Sequence, residues 1–290
     1  MKKTYFLAGT AILMWSTMAT VSKLLLNSLS NFQVLCLSAL LAALTMLAIN
    51  AGSGKLALLK TYRLKDYLIM TGVGLLGIFL YYTLYYIGMG TLLASQAFII
   101  NYLWPIMSVL FAAILLKEKM TVRKAVAIGM SFLGVVIVTG RDLIQLNPQM
   151  IFGAAMCTGA AVCYGAFTAL NKKYSYEKSI SMMIAFFTAF VLSFLLNLAT
   201  GETWNLSSGQ WAGLAWNGVF SMGIGNTAWA LAMEKVNTAK ISNLAYITPF
   251  VSLIWTALIL KEEISLWSVA GLCVIVLGIL IQLKDSKKAA

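Results

Sequence analysis

Asn101, Trp104, Pro105 and Ser108 stand at i, i+3, i+4 and i+7, so on a helix they share one face. They bring together an amide, an indole and a hydroxyl. The proline has no N–H for the carbonyl four residues back, at Asn101, and a break of this kind inside a membrane is tolerated where it faces protein or a cavity. Tyr246, Thr248, Pro249 and Ser252 repeat the device 144 residues later. Further aromatic and neutral polar side chains stand inside other apolar runs: Trp15-Ser16-Thr17, Tyr81, Tyr82, Tyr85 and Tyr86, Tyr164, and Asn226, Thr227 and Trp229. Groups of these types can hold a neutral or zwitterionic solute through ring contacts and hydrogen bonds. They are not equipped for acid–base or nucleophilic work.

The usual chemical handles are missing from the sequence. There is no His, and no Asp or Glu lies near the middle of an apolar run. Intramembrane carboxylates are the common proton and cation handles of coupled carriers. If the chain moves a solute, the movement is expected to be downhill, or coupled through groups the sequence does not display. Gly52-Ser53-Gly54-Lys55 lacks the first glycine that a nucleotide-binding loop requires. Cys36, Cys157, Cys163 and Cys273 form no metal-ligand spacing, and Cys157 and Cys163 point about 240° apart on a helix. The expectation is no enzyme activity, no cofactor and no metal.

The elements that must position these residues follow from composition. Of 290 residues 61% are hydrophobic and only 10% are charged. A soluble domain of this length needs more polar surface than that. The apolar runs are about as long as a bilayer is thick and do not alternate in polarity, which selects transmembrane helices over barrel strands. Spans are expected near 5–25, 33–50, 67–88, 92–116, 124–140, 151–171, 181–199, 209–232, 238–260 and 266–283. The apolar run after Met1-Lys2-Lys3 is long enough to span and is expected to be retained rather than cleaved as a signal. The stretch 51–66 mixes Leu, Tyr and Lys and suits the headgroup region.

On this reading 18 of the 21 Lys and Arg fall on one side, the exceptions being Lys23, Arg141 and Lys261. That places both termini in the cytoplasm. It also accounts for the net charge of +12 without a nucleic acid partner.

The halves resemble each other. At an offset of 144, Pro105 meets Pro249, Ser108 meets Ser252, and Leu116-Lys117-Glu118 meets Leu260-Lys261-Glu262. Leu133-Gly134 then meets Leu277-Gly278, Thr83 meets Thr227 and Tyr102 meets Tyr246. The first span needs an offset of 149, pairing Trp15 with Tyr164 and Lys23 with Lys172. Residues 1–145 and 146–290 are read as two five-helix repeats. An odd number of spans makes them enter the membrane in opposite senses. Inverted repeats are a hallmark of secondary transporters, with the substrate near mid-membrane. The fold class is therefore an all-α integral membrane protein of ten helices in two inverted repeats.

These features resemble the drug/metabolite transporter superfamily in its ten-span EamA-type branch, over essentially the whole chain. Within that branch the chain is similar to aromatic amino acid exporters of the YddG type. Leu13-Met14-Trp15-Ser16-Thr17-Met18 is similar to their LWSTM string, Asn101-Tyr102-Leu103-Trp104-Pro105 is their NYLWP string, and Asn171-Lys172-Lys173-Tyr174 is close to their NKY. The resemblance implies a cavity lined by Tyr81, Tyr82, Tyr85, Tyr102, Trp104, Pro105 and Tyr164, where Tyr164 replaces a frequent Trp. It implies export of neutral and aromatic amino acids with loose selectivity, from a bacterial cytoplasmic membrane, with a monomer sufficing. Small multidrug exporters of the superfamily use a Glu in their first helix, and this first span has no acid.

The substrate-contacting set is thus read as Trp15, Ser16, Tyr81, Tyr82, Tyr85, Asn101, Tyr102, Trp104, Pro105, Tyr164, Asn226, Trp229, Tyr246, Thr248 and Pro249. The partners are a small-molecule substrate and membrane lipid. A nucleoside, sugar or lipophilic drug would also suit aromatic walls, and outside transport the alternative is a receptor or assembly subunit. Some of Tyr81, Tyr82, Tyr85 and Tyr86 are expected to face lipid or another helix. Trp204 is expected at the interface. Gly72, Gly74, Gly77, Gly223 and Gly225 are expected at close helix contacts. Glu118 and Glu262 are expected to pair locally or with water.

Overall fold

The computed structural model describes residues 2–144, 147–234 and 244–286. Lys235, Lys240, Lys287, Lys288 and the expected start of the ninth span at 238–243 lie outside the described residues. All regular structure among the described residues is helical. The helices are α1 (Lys2–Leu26), α2 (Asn31–Gly52), α3 (Leu64–Gly74), α4 (Tyr81–Thr91), α5 (Ala94–Asn101), α6 (Trp104–Leu115), α7 (Val122–Ile144), α8 (Pro148–Lys173), α9 (Lys178–Thr200), α10 (Ser208–Ala215), α11 (Asn226–Glu234), α12 (Thr248–Ile259) and α13 (Leu266–Ser286). Wider π turns at Leu75–Leu80 and Trp216–Gly225 join α3 to α4 and α10 to α11.

Among the described residues seven helical stretches are long and apolar enough to cross a membrane, running from Lys2–Leu26 to Lys178–Thr200. They coincide with the first seven expected spans. Two shorter apolar helices, Ala245–Ile259 and Leu266–Ile281, fall on the ninth and tenth. The eighth falls on α10, its π turn and α11.

Helix starts follow side-chain chemistry. Ser30 Oγ accepts from the Gln33 amide at 3.2 Å while Gln33 Oε1 accepts from the Ser30 amide at 2.9 Å. Ser207 and Gln210 do the same for α10. These pairs satisfy the orphan donors of a helix N-terminus. The 51–66 stretch contains a 3-10 helix at Lys55–Thr61. It is tied down by a Lys55–Glu177 ion pair at 2.6 Å and by the Tyr67 hydroxyl donating to the Leu59 carbonyl at 2.7 Å.

The chain packs as two compact units, each taking segments from both sequence halves. One comprises Met1–Phe79 with Tyr176–Leu260, the other Leu80–Ser175 with Lys261–Ala290. In the first, α2 packs on α9 and on the second π turn, α1 packs on α12, α11 and that π turn, and α3 packs on α9. In the second, α7 packs on α13, and α8 packs on α4, α5 and α6. Exchanging each element for its counterpart in the other half turns the α1–α12 pair into the α8–α6 pair. It leaves α2–α9 and α7–α13 unchanged.

Small residues set how close these helices come, as expected where lipid offers no hydrophobic drive for association. A Cβ on Gly134 would lie 2.7 Å from the Gly271 carbonyl, and one on Gly271 would meet the Gly134 carbonyl at 2.6 Å. Backbone cannot yield there, so α7 and α13 cross on these two glycines. Gly74 lies against Ala185 and Gly223 against Thr45, as expected, while a Cβ on Gly72 would find open space.

The repeated Leu-Lys-Glu triplets end α6 and α12 alike. Lys117 and Lys261 both adopt left-handed φ, at 55° and 58°. Beyond them the two glutamates diverge: both were expected to pair locally or with water, and Glu262 does neither. Glu118 accepts from Lys172 at 2.6 Å and lies 3.5 Å from Lys124. Glu262 instead caps α5, its Oε1 accepting from the Ala94 amide at 2.7 Å and its Oε2 from the Ser95 amide at 3.0 Å. A helix N-terminus 168 residues away gives no side-chain signal in the sequence.

Two outcomes follow from this packing. Gly134→Val should destabilise the α7–α13 crossing by about 1–3 kcal/mol or more, seen as a lower melting midpoint in detergent. The Lys172 hydrogen bond, with Lys124 nearby, holds the Glu118 carboxyl below its ordinary value near 4.5. A carboxyl depressed on folding adds stability above its unfolded value and loses it as pH falls through the folded one. Glu118→Gln should therefore melt below the unaltered chain at pH 7, with the gap closing once pH drops under about 4.5.

Candidate functional site

The break in the fourth apolar run is where the sequence placed it. α5 ends at Asn101 and α6 begins at Trp104, with Pro105 in its first turn. The chain closes the gap with tight bonds: the Tyr102 amide donates to the Phe98 and Ile99 carbonyls, and the Leu103 amide to that of Ile100. Pro105 cannot donate to Asn101, so the helix restarts rather than merely bending.

Around this break lies a cluster of rings, all within the second unit. Tyr81 and Tyr82 are 4.6 Å apart by ring centroids, Tyr81 and Tyr164 are 4.8 Å apart, and Trp104 and Tyr164 are 5.2 Å apart and edge-on. Tyr85 stacks on Tyr81 at 6.0 Å, Tyr102 lies 6.4 Å from Trp104, and Phe167 joins beside Tyr164 at 5.5 Å. The Asn101 Nδ2 donates to the Tyr81 hydroxyl at 2.9 Å.

Of the expected residues, the structure therefore gathers Tyr81, Tyr82, Tyr85, Asn101, Tyr102, Trp104, Pro105 and Tyr164. Tyr81, Tyr82, Tyr85 and Tyr86 are all buried, and none faces outward. Their i, i+1, i+4, i+5 spacing covers a single face about 140° wide. Trp104 and Tyr164 are only partly buried. The cluster can offer ring faces, hydroxyls and one amide; among the described residues it contains no carboxylate or ammonium group.

The remaining expected residues lie in the first unit. Trp15 and Trp229 meet at 5.3 Å. Ser16 is fully occupied: its Oγ donates to the Leu13 carbonyl at 2.8 Å and accepts from Trp255 Nε1 at 3.2 Å. Asn226 spends its amide donor on the Met222 carbonyl at 2.6 Å, at the end of the π turn, where the widened helix leaves backbone to be patched. Tyr246 lies in a 3-10 turn ahead of α12, and Thr248 and Pro249 are buried in that helix's first turn.

Trp255 and Trp216, whose Nε1 donates to Thr17 Oγ1 at 2.8 Å, bond to the expected Ser16-Thr17 pair but were not among the expected residues. Their signal would have been an indole on a helix facing the Ser16-Thr17 pair, which is visible only after the helices are packed.

Stacked apolar helices, a proline-broken helix carrying an amide and an indole, and a paired set of sequence repeats define a multi-pass membrane transporter. The model of the EamA-like transporter family matches residues 2–140 and again 151–283, and the chain belongs to that family. It is 23% identical over 235 residues to the uncharacterized transporter YoaV of Bacillus subtilis, covering 78% of this chain and 77% of that one. It is 23% identical over 287 residues to the uncharacterized inner membrane transporter YhbE of Escherichia coli, covering 94% and 88%. It is 24% identical over 247 residues to the aromatic amino acid exporter YddG of Ancylobacter novellus, covering 84% of each. A solved crystal structure with 21% identity superposes with a TM-score of 0.70 over 97% of this chain and 96% of that one, which shows the same fold. The protein is a multi-pass inner membrane transporter.

Ser16→Ala should leave the Trp255 N–H without its acceptor. The expected cost is about 1–3 kcal/mol of stability, read as a lower melting midpoint, with substrate preference unchanged.

Proposed function

We propose that this transporter exports neutral amino acids, aromatic ones foremost, by alternating access, as a ten-span carrier. Its halves, 1–145 and 146–290, lie in opposite orientation and both termini are cytoplasmic. The observation that carries this reading is the Tyr81–Tyr164–Trp104 ring cluster, to whose Tyr81 hydroxyl the buried Asn101 amide donates. Aromatic walls reward a Phe, Tyr or Trp side chain by about 0.5–1.5 kcal/mol per good ring pair. A site without fixed charge suits a solute whose own charges cancel. The likeness to an aromatic amino acid exporter over 84% of the chain supports the same substrate class. Within this reading Tyr81, Tyr82, Tyr85, Asn101, Tyr102, Trp104, Pro105 and Tyr164 contact substrate, and a monomer suffices.

The test is reconstitution in liposomes with labelled Phe, Trp, Met, Ala and uridine, with and without a pH gradient. Saturable, gradient-independent amino acid flux that falls from Phe and Trp to Ala is expected. Movement of uridine alone would replace the substrate class while leaving the transporter. Trp104→Ala should raise the KM for Phe by about 2–10-fold, the equivalent of one lost ring pair, with unchanged abundance in the membrane. An equal fall in abundance and flux would instead make Trp104 a packing residue.

A further inference from the structure

Every polar group inside a membrane protein must be bonded within the protein or meet something that enters. The break between α5 and α6 leaves a buried acceptor open. The Asn101 side chain is 5% exposed, and its Oδ1 has no hydrogen-bond partner among the described residues, while its Nδ2 is committed to the Tyr81 hydroxyl. Its main-chain carbonyl is the one that Pro105 cannot serve. Both acceptors sit at the C-terminal end of α5, where the helix dipole is negative and favours a cation.

As the amide stands, its Nδ2 is spent on the Tyr81 hydroxyl and its oxygen, an acceptor only, is the side left open. The Tyr81 that takes the amide bond belongs to the same ring cluster as Tyr164 and Trp104, and aromatic faces favour a cation. These features together make a site for a cationic N–H donor that contains no carboxylate.

The repeat sharpens the point. The second half has a matching proline break, but the position corresponding to Asn101 is Ala245, and that of Trp104 is Thr248. Thr248 Oγ1 and Ser252 Oγ are buried without partners there, yet neither is an amide, and a hydroxyl can donate as readily as accept. Among the described residues the second break thus offers hydroxyls where the first offers an amide oxygen.

We propose that Asn101 recognises the ammonium group of the substrate: its side-chain oxygen and main-chain carbonyl, at the end of α5, accept the ammonium N–H bonds. This makes Asn101 the specificity-determining residue for primary amines. It rests on the amino acid reading above for the physiological substrate, but its chemistry is testable apart from it.

The full-length protein, purified in detergent, is titrated by thermal shift with Phe, with phenethylamine (ring and ammonium, no carboxylate) and with 3-phenylpropionate (ring and carboxylate, no ammonium). Phenethylamine should stabilise the protein within about tenfold of the Phe concentration, and phenylpropionate should need at least about tenfold more than phenethylamine. Asn101→Leu should weaken Phe and phenethylamine about tenfold or more and leave phenylpropionate unchanged. In liposomes the same variant should raise the KM for Phe with little change in maximal rate.

Phenylpropionate binding as well as phenethylamine overturns the assignment on the unaltered protein alone, even if the variant fails to fold. So does an Asn101→Leu protein that folds and keeps its affinity for phenethylamine. Strict dependence of flux on Na⁺ or K⁺ that the variant removes would assign the acceptors to an inorganic cation, and likewise overturns it. Asn101-dependent phenethylamine binding without any Phe flux would keep the ammonium site and remove the amino acid reading.

Discussion

In hydrocarbon a backbone amide or carbonyl has no water to bond, so each departure from a regular helix must be repaired by the protein itself. The structure shows these repairs at three irregular points of the helices. At the α5–α6 break the Tyr102 and Leu103 amides fold back on preceding carbonyls. At the second π turn Asn226 and Thr227 side chains donate to the Met222 and Gly223 carbonyls. At the start of α5 a carboxylate from a distant part of the chain takes the first amides. What is left unrepaired is correspondingly informative, and the Asn101 side-chain oxygen is buried on an amide whose nitrogen is held by Tyr81.

The same solvent decides how the helices hold together. With lipid as apolar as the side chains, close approach and buried polar bonds replace the hydrophobic effect. The Gly134–Gly271 crossing supplies the first. The Asn217–Ser22, Trp216–Thr17 and Asn50–Ser179 bonds supply the second. Each compact unit draws on both halves of the chain, so the repeat that duplicates the sequence is not the unit that packs. A helix pair such as α1 with α12 buries its apolar stripe against a partner more than two hundred residues away, while its repeat counterpart, α8 with α6, does so between close neighbours in sequence.

A site walled by rings and neutral polar groups suits a carrier because it binds without trapping. A fixed buried carboxylate would hold a cation strongly and call for a proton or ion to release it. Dipoles and ring faces give orientation with modest affinity, so a solute accepted from one side can leave on the other.

The sequence by itself determined that the chain is helical and membrane-embedded, that it repeats, and that Asn101, Trp104 and Pro105 surround a helix break. Apolar run length, the missing N–H of proline and the spacing of matched residues are local properties, readable one segment at a time. The tertiary structure decided the rest. It buried all of Tyr81, Tyr82, Tyr85 and Tyr86 where some were expected to face lipid or another helix, sent Glu262 to the N-terminus of α5 while its counterpart Glu118 paired with lysines, and spent Ser16 and Asn226 on an indole and a backbone carbonyl. Which side chain is used up and which stays open depends on the donors and acceptors that neighbouring helices bring within about 3 Å, and those neighbours are distant in the chain.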